Sequence, residues 1–335
     1  MSLISILKRK NNKLLFTTPS HGGKFCILHK FYQWYRSDIS EVDAYNPEDA
    51  LKKSEKVASN IYGTKYTKFL TNGSSSGIIT AVIASQAKKI LIWEKAHPCH
   101  KNACKLANVN YIEYSLPLDK ELGLYRAIKA EKVIELIQKD KPEAIIITSP
   151  TYEGFVANVK EIAKICKESN VKLIVDEAHG ALYPFSLNLP ESAVNHADYT
   201  VQSLHKTAGG LNPTALLHSN DNDPTEALSM INTTSPSYPM LASIEANIKF
   251  LNSNKGRKKI EQLIHNIKSL NLEQLNDDPT KILIKGGFEL SDRLFNQYNI
   301  EDERTNEKTT MLLCGMGTTK QMLNKLKKAL NNLNF

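Results

Sequence analysis

The sequence contains no long hydrophobic run, and its cysteines follow no pairing pattern. No apolar run approaches the ~20 residues that a membrane span requires. The segment MSLISILKRKNNK places its charges after a short apolar stretch, unlike a signal peptide. The number of cysteines is odd and no C-x-x-C pair occurs, which favours reduced thiols; they are Cys26, Cys99, Cys104, Cys166 and Cys314. We therefore expect a cytoplasmic protein that has no membrane partner.

The sequence also lacks a block of charge of one sign. The net charge of +8 comes from 43 Lys and Arg against 35 Asp and Glu, which are spread along the whole chain. Short basic runs at residues 8–10 and 257–259 are typical of solvated faces, so we expect no nucleic-acid partner. The 335 residues are 41% hydrophobic and 23% charged, which are ordinary proportions for a globular protein whose length allows two lobes.

Short apolar runs alternate with amphipathic stretches between residues 62 and 218. We expect buried strands in KILIW, EAIIITS, VKLIVD, YTVQS and TALLHS, which begin near residues 89, 143, 171, 199 and 214. Helix-like segments lie between them, at residues 75–88, 131–139 and 159–168. This alternation predicts an α/β fold with a mainly parallel sheet flanked by helices.

The residues after Pro239 follow a different pattern. A long helical stretch at 240–272, broken at NSNKGRKK, precedes the strand KILIK, a helix at 290–298, the run TMLLCGMG and a closing helix at 319–330. This predicts a small α+β lobe. We therefore expect an N-terminal segment at 1–45, a large α/β domain at 46–240, and a connecting helix with a small domain at 241–335.

A strand-like run ends at Asp176 in the segment VKLIVDEAHG. In an open α/β sheet, ligands bind beyond the carboxyl ends of the strands, so Asp176 is a candidate functional residue. The letters DEAH also form a helicase signature, which requires a G-x-x-x-x-G-K-[ST] phosphate loop. The nearest segment to such a loop, HGGKF, ends in Phe25 where a Ser or Thr is required. We therefore do not favour a helicase.

The segment VQSLHKTAGG places Ser203, His205 and Lys206 directly after another apolar run. A lysine is a nucleophile when it is deprotonated, and low polarity or neighbouring cations lower its pKa toward that state. A surface lysine that follows a strand is the alternative interpretation of this segment.

Three serines open a helix in FLTNGSSSGIITAVIASQAKK, after a break at Asn72-Gly73. The amides and the positive dipole at a helix N-terminus bind phosphate, and hydroxyls add donors; simple capping by serine is the alternative. A phosphate site, the Asp176 carboxylate and the Lys206 amine are the three groups that pyridoxal phosphate requires, as an anchor, a partner for the pyridine nitrogen and a Schiff-base lysine.

The chain resembles the ornithine/lysine/arginine decarboxylase family, which are fold-type-I pyridoxal-phosphate enzymes. The resemblance covers Thr17 to Tyr238 and rests on the segments TTPSHGG, DISEVD, FLTNGSSSGI, CHKNA, TSPTYEGF, VDEAHGA, QSLHKT and TTSPSY. It implies a fold-type-I transferase-like architecture in a short member that lacks the additional C-terminal domain of many relatives. The chain departs from the family pattern at Ser20, Leu204 and Asn212-Pro213.

The resemblance also implies a role for each matching residue. Lys206 would hold the cofactor as a Schiff base, Asp176 would keep the pyridine nitrogen protonated, and Ala178 would pack under the ring. His100 would stack on the other ring face, and His205 would support Lys206. The phosphate positions fall on Ser74, Ser75, Ser76 and Ser203. A homodimer is implied as well, in which Thr233, Thr234 and Ser235 complete the phosphate site of the partner subunit.

A zinc site is the alternative use of the histidines and cysteines near residue 100. The spacing of His97, Cys99, His100 and Cys104 matches none of the common structural zinc patterns. We therefore expect no metal.

The function implied by the resemblance is decarboxylation of a basic amino acid (arginine, lysine or ornithine), which releases CO2 and leaves a polyamine precursor. An aminotransferase-type reaction and a non-catalytic protein of the same fold are the alternatives. No motif marks the contacts with the distal group of the substrate; Asp38, Glu41 and Asp43 are candidates.

Overall fold

The computed structural model describes residues 2–5, 34, 38 and 49–334. Most of the expected N-terminal segment therefore lies outside the described residues, including TTPSHGG, Glu41 and Asp43. Within the described part of the chain, no helix has both the length and the apolar character that a membrane crossing requires.

The centre of the fold is a seven-stranded sheet in the order β1-β9-β8-β7-β6-β2-β3. Its strands are β1 (Tyr66–Leu70), β2 (Lys89–Trp93), β3 (Asn110–Tyr114), β6 (Ala144–Thr148), β7 (Lys172–Asp176), β8 (Tyr199–Ser203) and β9 (Ala215–Ser219). All five predicted strand segments are present, and β1 and β3 are additional. A short hairpin outside this sheet pairs β4 (Leu118–Asp119) with β5 (Leu124–Tyr125).

The strands β3, β2, β6, β7 and β8 run parallel to one another, which confirms the mainly parallel sheet. The strand β9 is the exception, because it runs antiparallel to both β8 and β1. Residues 204–214 join β8 to β9 without a helix. A parallel return would require a longer crossover, usually through a helix, so this connection dictates the reversal.

Both faces of the sheet are buried, which explains why its strands are continuous apolar runs. On one face, Ile146 and Ile174 pack in a cluster with side chains of the helix Gly73–Ser85. On the other face, Ile145 and Leu173 pack in a cluster with the helices Ala130–Asp140 and Val159–Glu168. The remaining helices of the large α/β region are Asp49–Tyr62, Pro98–Leu106 and Thr225–Ser229.

The C-terminal part contains a three-stranded antiparallel sheet in the order β10-β12-β11, formed by Lys281–Lys285, Thr309–Leu313 and Arg304–Thr305. The helices Gly287–Tyr298 and Lys320–Leu333 accompany it. These elements form the predicted α+β lobe.

The predicted helical stretch before this lobe consists of two helices, Tyr238–Asn252 and Asn254–Lys268. They separate at Ser253, whose Oγ accepts a hydrogen bond from the amide of Gly256 at 3.0 Å and so caps the second helix. The break lies inside the predicted NSNKGRKK segment, because serine favours a cap over a helix interior.

Candidate active site

A cavity of about 760 Å³ lies at the carboxyl ends of the parallel strands. Thr148 at the end of β6 and Asp176 at the end of β7 line it, as does Lys206, which follows β8. Parallel strands end at the same edge of a sheet, and this edge is where open α/β sheets bind ligands. The structure thus brings the predicted carboxylate and the predicted amine into one cavity.

The Asp176 carboxylate is buried and hydrogen-bonded on both oxygens. Its Oδ1 accepts from the amide of Ala178 at 3.1 Å, and its Oδ2 lies 2.9 Å from Nε2 of His100. Burial alone would raise the pKa of Asp176, but the hydrogen bond from His100 and the nearby charge of Lys206 hold that pKa below its usual value. Asp176 therefore remains an anion.

His100 lies next to Asp176 and is itself buried. It is absent from the residues that line the cavity, whereas its neighbour Cys99 is among them. In this arrangement His100 orients the carboxylate. Its predicted stacking on the cofactor ring stays a prediction.

Lys206 contacts a residue that the sequence did not single out. Its Nζ lies 3.0 Å from Nε2 of His179, which also lines the cavity. The ring of His179 is buried and packs edge-on against Tyr152, with 4.8 Å between the ring centroids. The segment DEAHG contains this histidine, but its letters suggested a helicase motif instead of a contact to the lysine.

The surroundings of Lys206 lower the pKa of its amine. Burial lowers the pKa of Lys206, and the positive charge of Lys281 lowers it further against the opposing charge of Asp176. Burial and the charges of Lys281 and Lys206 likewise hold the pKa of His179 well below its usual value. Nucleophilic attack on a carbonyl requires the neutral amine, so these shifts suit a Schiff-base lysine.

The predicted phosphate residues separate into three groups. Ser74 and Ser75 line the cavity at the N-terminus of the helix Gly73–Ser85. The hydroxyl of Ser76 instead donates to the carbonyl of Gly73 at 2.8 Å, inside the first turn of that helix. Ser203 is buried outside the set of described residues that line the cavity, and its Oγ has no hydrogen-bond partner among the described residues.

The other predicted site residues are partly in the cavity. Ala178 and His205 line it. Nδ1 of His205 donates to the carbonyl of Thr214 at 3.0 Å, which leaves Nε2 as the nitrogen that can exchange a proton. Thr234 is exposed and lies outside the set of described residues that line the cavity. The substrate-contact candidate Asp38 is half-buried and also lies outside that set.

These residues fit pyridoxal phosphate. A buried hydroxyl without a partner costs free energy unless a ligand or water satisfies it. Among the described residues, Ser203 Oγ and Thr148 Oγ1 are two such groups at the ends of β8 and β6. Thr148 lines the cavity and, together with the amides at the N-terminus of the helix Gly73–Ser85, provides donors for a phosphate or for ring substituents. Ser203 lies outside the described residues that line the cavity. Asp176 provides an anion for the pyridine nitrogen.

One group of described residues could also hold a metal ion. The ligand atoms of Cys99, His100 and Asp176 lie within 4.8 Å of one another. This set differs from the zinc alternative, because Asp176 joins it and Cys104 packs in the apolar cluster of the sheet. Asp176 and His100 already hydrogen-bond to each other there. The absence of a metal stays a prediction.

Solved structures of fold-type-I pyridoxal-phosphate enzymes share this fold. A lysine decarboxylase of Francisella novicida matches with a TM-score of 0.85 and 19% identity, over 99% of this chain and 59% of that one. A ureidoglycine-glyoxylate aminotransferase of Bacillus subtilis matches with a TM-score of 0.62 and 13% identity, over 85% of each chain. The protein therefore has the fold-type-I architecture that the sequence predicted.

The family model for the Orn/Lys/Arg decarboxylase major domain matches residues 8–284. Two curated relatives are arginine decarboxylases: that of Bacillus anthracis is 28% identical over 97% of this chain and 74% of the relative, and that of Bacillus cereus is 29% identical over 97% and 80%. The chain belongs to the Orn/Lys/Arg decarboxylase family. It spans 59% of the lysine decarboxylase structure that it matches.

Proposed function

We propose that this protein is a pyridoxal-phosphate-dependent decarboxylase of a basic amino acid, with Lys206 as the Schiff-base residue. One observation carries the proposal: a lysine whose pKa is lowered and a buried carboxylate line the same cavity at the ends of β7 and β8. Membership of the Orn/Lys/Arg decarboxylase family supports the reaction type.

When bound, pyridoxal phosphate supplies an electron sink for the bond that breaks at the α-carbon of the substrate. Asp176 would hold a proton on the ring nitrogen, because it remains an anion in the buried site. Ala178 would contact one ring face, and Ser203 would donate to the phosphate together with Ser74 and Ser75. Lys206 or Nε2 of His205 would return a proton to the α-carbon after CO2 leaves.

Arginine is the first substrate to test. The two relatives above are named arginine decarboxylases at 28% and 29% identity, whereas a constitutive lysine decarboxylase of Escherichia coli is 25% identical and covers 76% of this chain. These differences in identity are small, so lysine and ornithine belong in the same experiment.

The test is to incubate the purified, cofactor-loaded protein with each basic amino acid and to measure both CO2 and the amine product. We expect equal amounts of the two with at least one substrate, and neither with Lys206→Ala. An α-keto acid formed together with pyridoxamine phosphate would show an aminotransferase instead. No product from any of the three amino acids would favour a non-catalytic protein.

We also propose a homodimer, or a higher homo-oligomer, whose active sites include residues of both subunits. Thr233, Thr234 and Ser235 are exposed in the single chain, which is compatible with their contacting a partner subunit. Sedimentation of the purified protein tests the oligomeric state. A fully active, strictly monomeric species would contradict this proposal.

A cytoplasmic location is the third part of the proposal. Its support is that all four described cysteines are free and buried, as in proteins of a reducing compartment. Cell fractionation followed by immunodetection would test it, with recovery outside the cytoplasmic fraction as the contradicting result.

A further inference from the structure

The cavity contains a second carboxylate that the proposed chemistry does not use. Among the described residues that line the cavity, the carboxylates belong to Asp176 and Glu153. Asp176 is held by His100 and faces the cofactor nitrogen in the proposed function. Glu153 lies in the turn that follows β6 and is only 8% exposed. A buried carboxylate requires a compensating cation or donor.

The cation that compensates Glu153 comes from the small lobe. Nη1 of Arg304, at the start of β11, lies 3.2 Å from Oε1 of Glu153. The guanidinium also lies over the ring of Tyr152, with 5.0 Å from Cζ to the ring centroid. The Arg304 side chain is nevertheless 56% exposed, whereas the Glu153 side chain is 10% exposed. The arginine can therefore leave toward solvent, but the carboxylate cannot.

The ring of Tyr152 connects this ion pair to the reacting lysine. One of its neighbours is Arg304, and another is His179, which lies 3.0 Å from Lys206 Nζ. The Glu153–Arg304 pair is thus separated from the proposed reaction centre by an aromatic ring and an imidazole. A basic amino acid bound at Lys206 carries its distal cation several bonds away from the α-carbon, so a carboxylate elsewhere in the same cavity can receive that cation.

We propose that Glu153 receives the distal ammonium or guanidinium group of the substrate, and that Arg304 is the resting partner that this group replaces. The inference rests on the proposed function and names the residue that selects a basic side chain. Exchange of one cation for another keeps the buried carboxylate paired throughout, so binding does not have to expose an uncompensated charge. A neutral side chain of the same length cannot make this exchange.

Burial raises the pKa of Glu153, and the nearby charge of Arg304 opposes that rise. A substrate cation in the place of Arg304 would oppose it in the same way. Glu303, the neighbour of Arg304, is a carboxylate with which Glu153 can be compared. It is exposed and is not among the described residues that line the cavity. It accepts a hydrogen bond from the hydroxyl of Tyr152 at 2.5 Å.

The experiment compares L-lysine with L-norleucine, which has an uncharged side chain with the same four-carbon stem. Cofactor-loaded protein is titrated with each amino acid, and the change in cofactor absorbance gives the dissociation constant independently of CO2 release. The variants are Glu153→Gln, the matched control Glu303→Gln, and Arg304→Gln. L-Arginine and L-ornithine are titrated in the same way.

We expect Glu153→Gln to weaken binding of the preferred basic amino acid by about 30-fold or more. This factor is the lower end of the range of affinity losses seen when one partner of a buried charge pair is removed. Norleucine binding should change by less than about 3-fold, which is the usual effect of a substitution at a residue that does not contact the ligand. Glu303→Gln should leave both unchanged. Arg304→Gln should not weaken binding of the basic amino acid, because it removes the cation that competes with the substrate for Glu153.

The inference would be overturned by unchanged binding of every basic amino acid in Glu153→Gln, by an equal loss for norleucine, or by the same loss in Glu303→Gln. Weaker binding of both lysine and norleucine in Arg304→Gln would also overturn it, since Arg304 would then hold the α-carboxylate. The two proposals can fail separately. If the wild-type protein releases no CO2 but the Glu153→Gln variant loses the preference for basic side chains, the decarboxylase proposal is refuted and this inference stands.

Discussion

Lys206 and His179 form a direct contact, with 3.0 Å between Nζ and Nε2, inside the cavity at the end of the parallel strands. Burial and the neighbouring cations hold the pKa of His179 well below its usual value, so the imidazole is neutral near pH 7. A neutral ring nitrogen beside the lysine can accept a proton from it or orient it.

We expect His179→Phe to retain the cofactor on Lys206 but to slow turnover on the order of 10²-fold, the usual effect of losing a positioned proton-transfer group. Phenylalanine keeps a ring against Tyr152 while removing both nitrogens. Steady-state kinetics measure the effect, with His196→Phe, a histidine paired with Glu191 outside the cavity, as the control. Wild-type kcat in His179→Phe would exclude this role.

Asp176→Asn should bind cofactor but lose turnover by about 10²-fold or more, a loss of the size expected for a group that positions a proton. A neutral amide cannot hold the ring nitrogen protonated, although the amide can still hydrogen-bond to His100 and to the amide of Ala178. Cofactor absorbance and CO2 release distinguish binding from turnover. Near-normal turnover would mean that Asp176 does not act on that nitrogen.

The strands could be predicted where both faces of the sheet are covered, because their apolar runs are continuous. The strands β1 and β3 were missed, since YTKFL and NYIEY mix polar and apolar residues at an exposed or antiparallel edge. The direction of β9 was not predictable from periodicity, which is the same in parallel and antiparallel strands.

The candidate site could be predicted where its residues follow strands directly, as Asp176 and Lys206 do. His179 was missed because a one-dimensional motif does not show which side chain turns toward the lysine. Glu153 and Arg304 were missed because they lie about half the chain apart and meet only through the packing of two lobes. Contacts of this kind have no local sequence signal.

Gly77 lies where the phosphate-binding helix meets the sheet. A Cβ at this position would approach Leu70 Cδ1 at 2.7 Å and Val201 Cγ1 at 2.8 Å, so either these side chains or the helix must shift. We expect Gly77→Ala to lower the free energy of unfolding by about 1–3 kcal/mol, the usual cost of overpacking. It should also weaken cofactor binding, because Ser74 and Ser75 lie on the same helix.

Chemical denaturation measures the stability of this variant, and Gly317→Ala is the matched control, since a Cβ at Gly317 meets nothing within 4 Å. Equal stability of the two variants would show that the helix can shift without cost.

Glu177 should make stability depend on pH. Burial raises its pKa to about 7, although Ser192, Gln202 and the amide of Ala193 all donate to its carboxylate. The folded form then keeps a proton that the unfolded chain loses above its ordinary pKa of 4.5. Stability is therefore lost as the pH rises from 4.5 toward 7, by about 3 kcal/mol from this group alone.

Glu177→Gln should flatten that dependence, because its amide does not titrate. Unfolding free energies of wild type and variant across this pH range provide the comparison. Parallel curves would show that Glu177 keeps its ordinary pKa in the folded protein, so that burial does not raise it.

Borohydride reduction followed by peptide mapping tests the central claim most directly, because it fixes the cofactor to whichever lysine holds it. We predict a single pyridoxyl label on Lys206 in the wild-type protein. Lys206→Ala should lose both the label and the Schiff-base absorbance. Lys95 also lines the cavity, and the control variant Lys95→Ala should still be labelled at Lys206. A label on any other lysine, or an unlabelled protein that still releases CO2, would contradict the account.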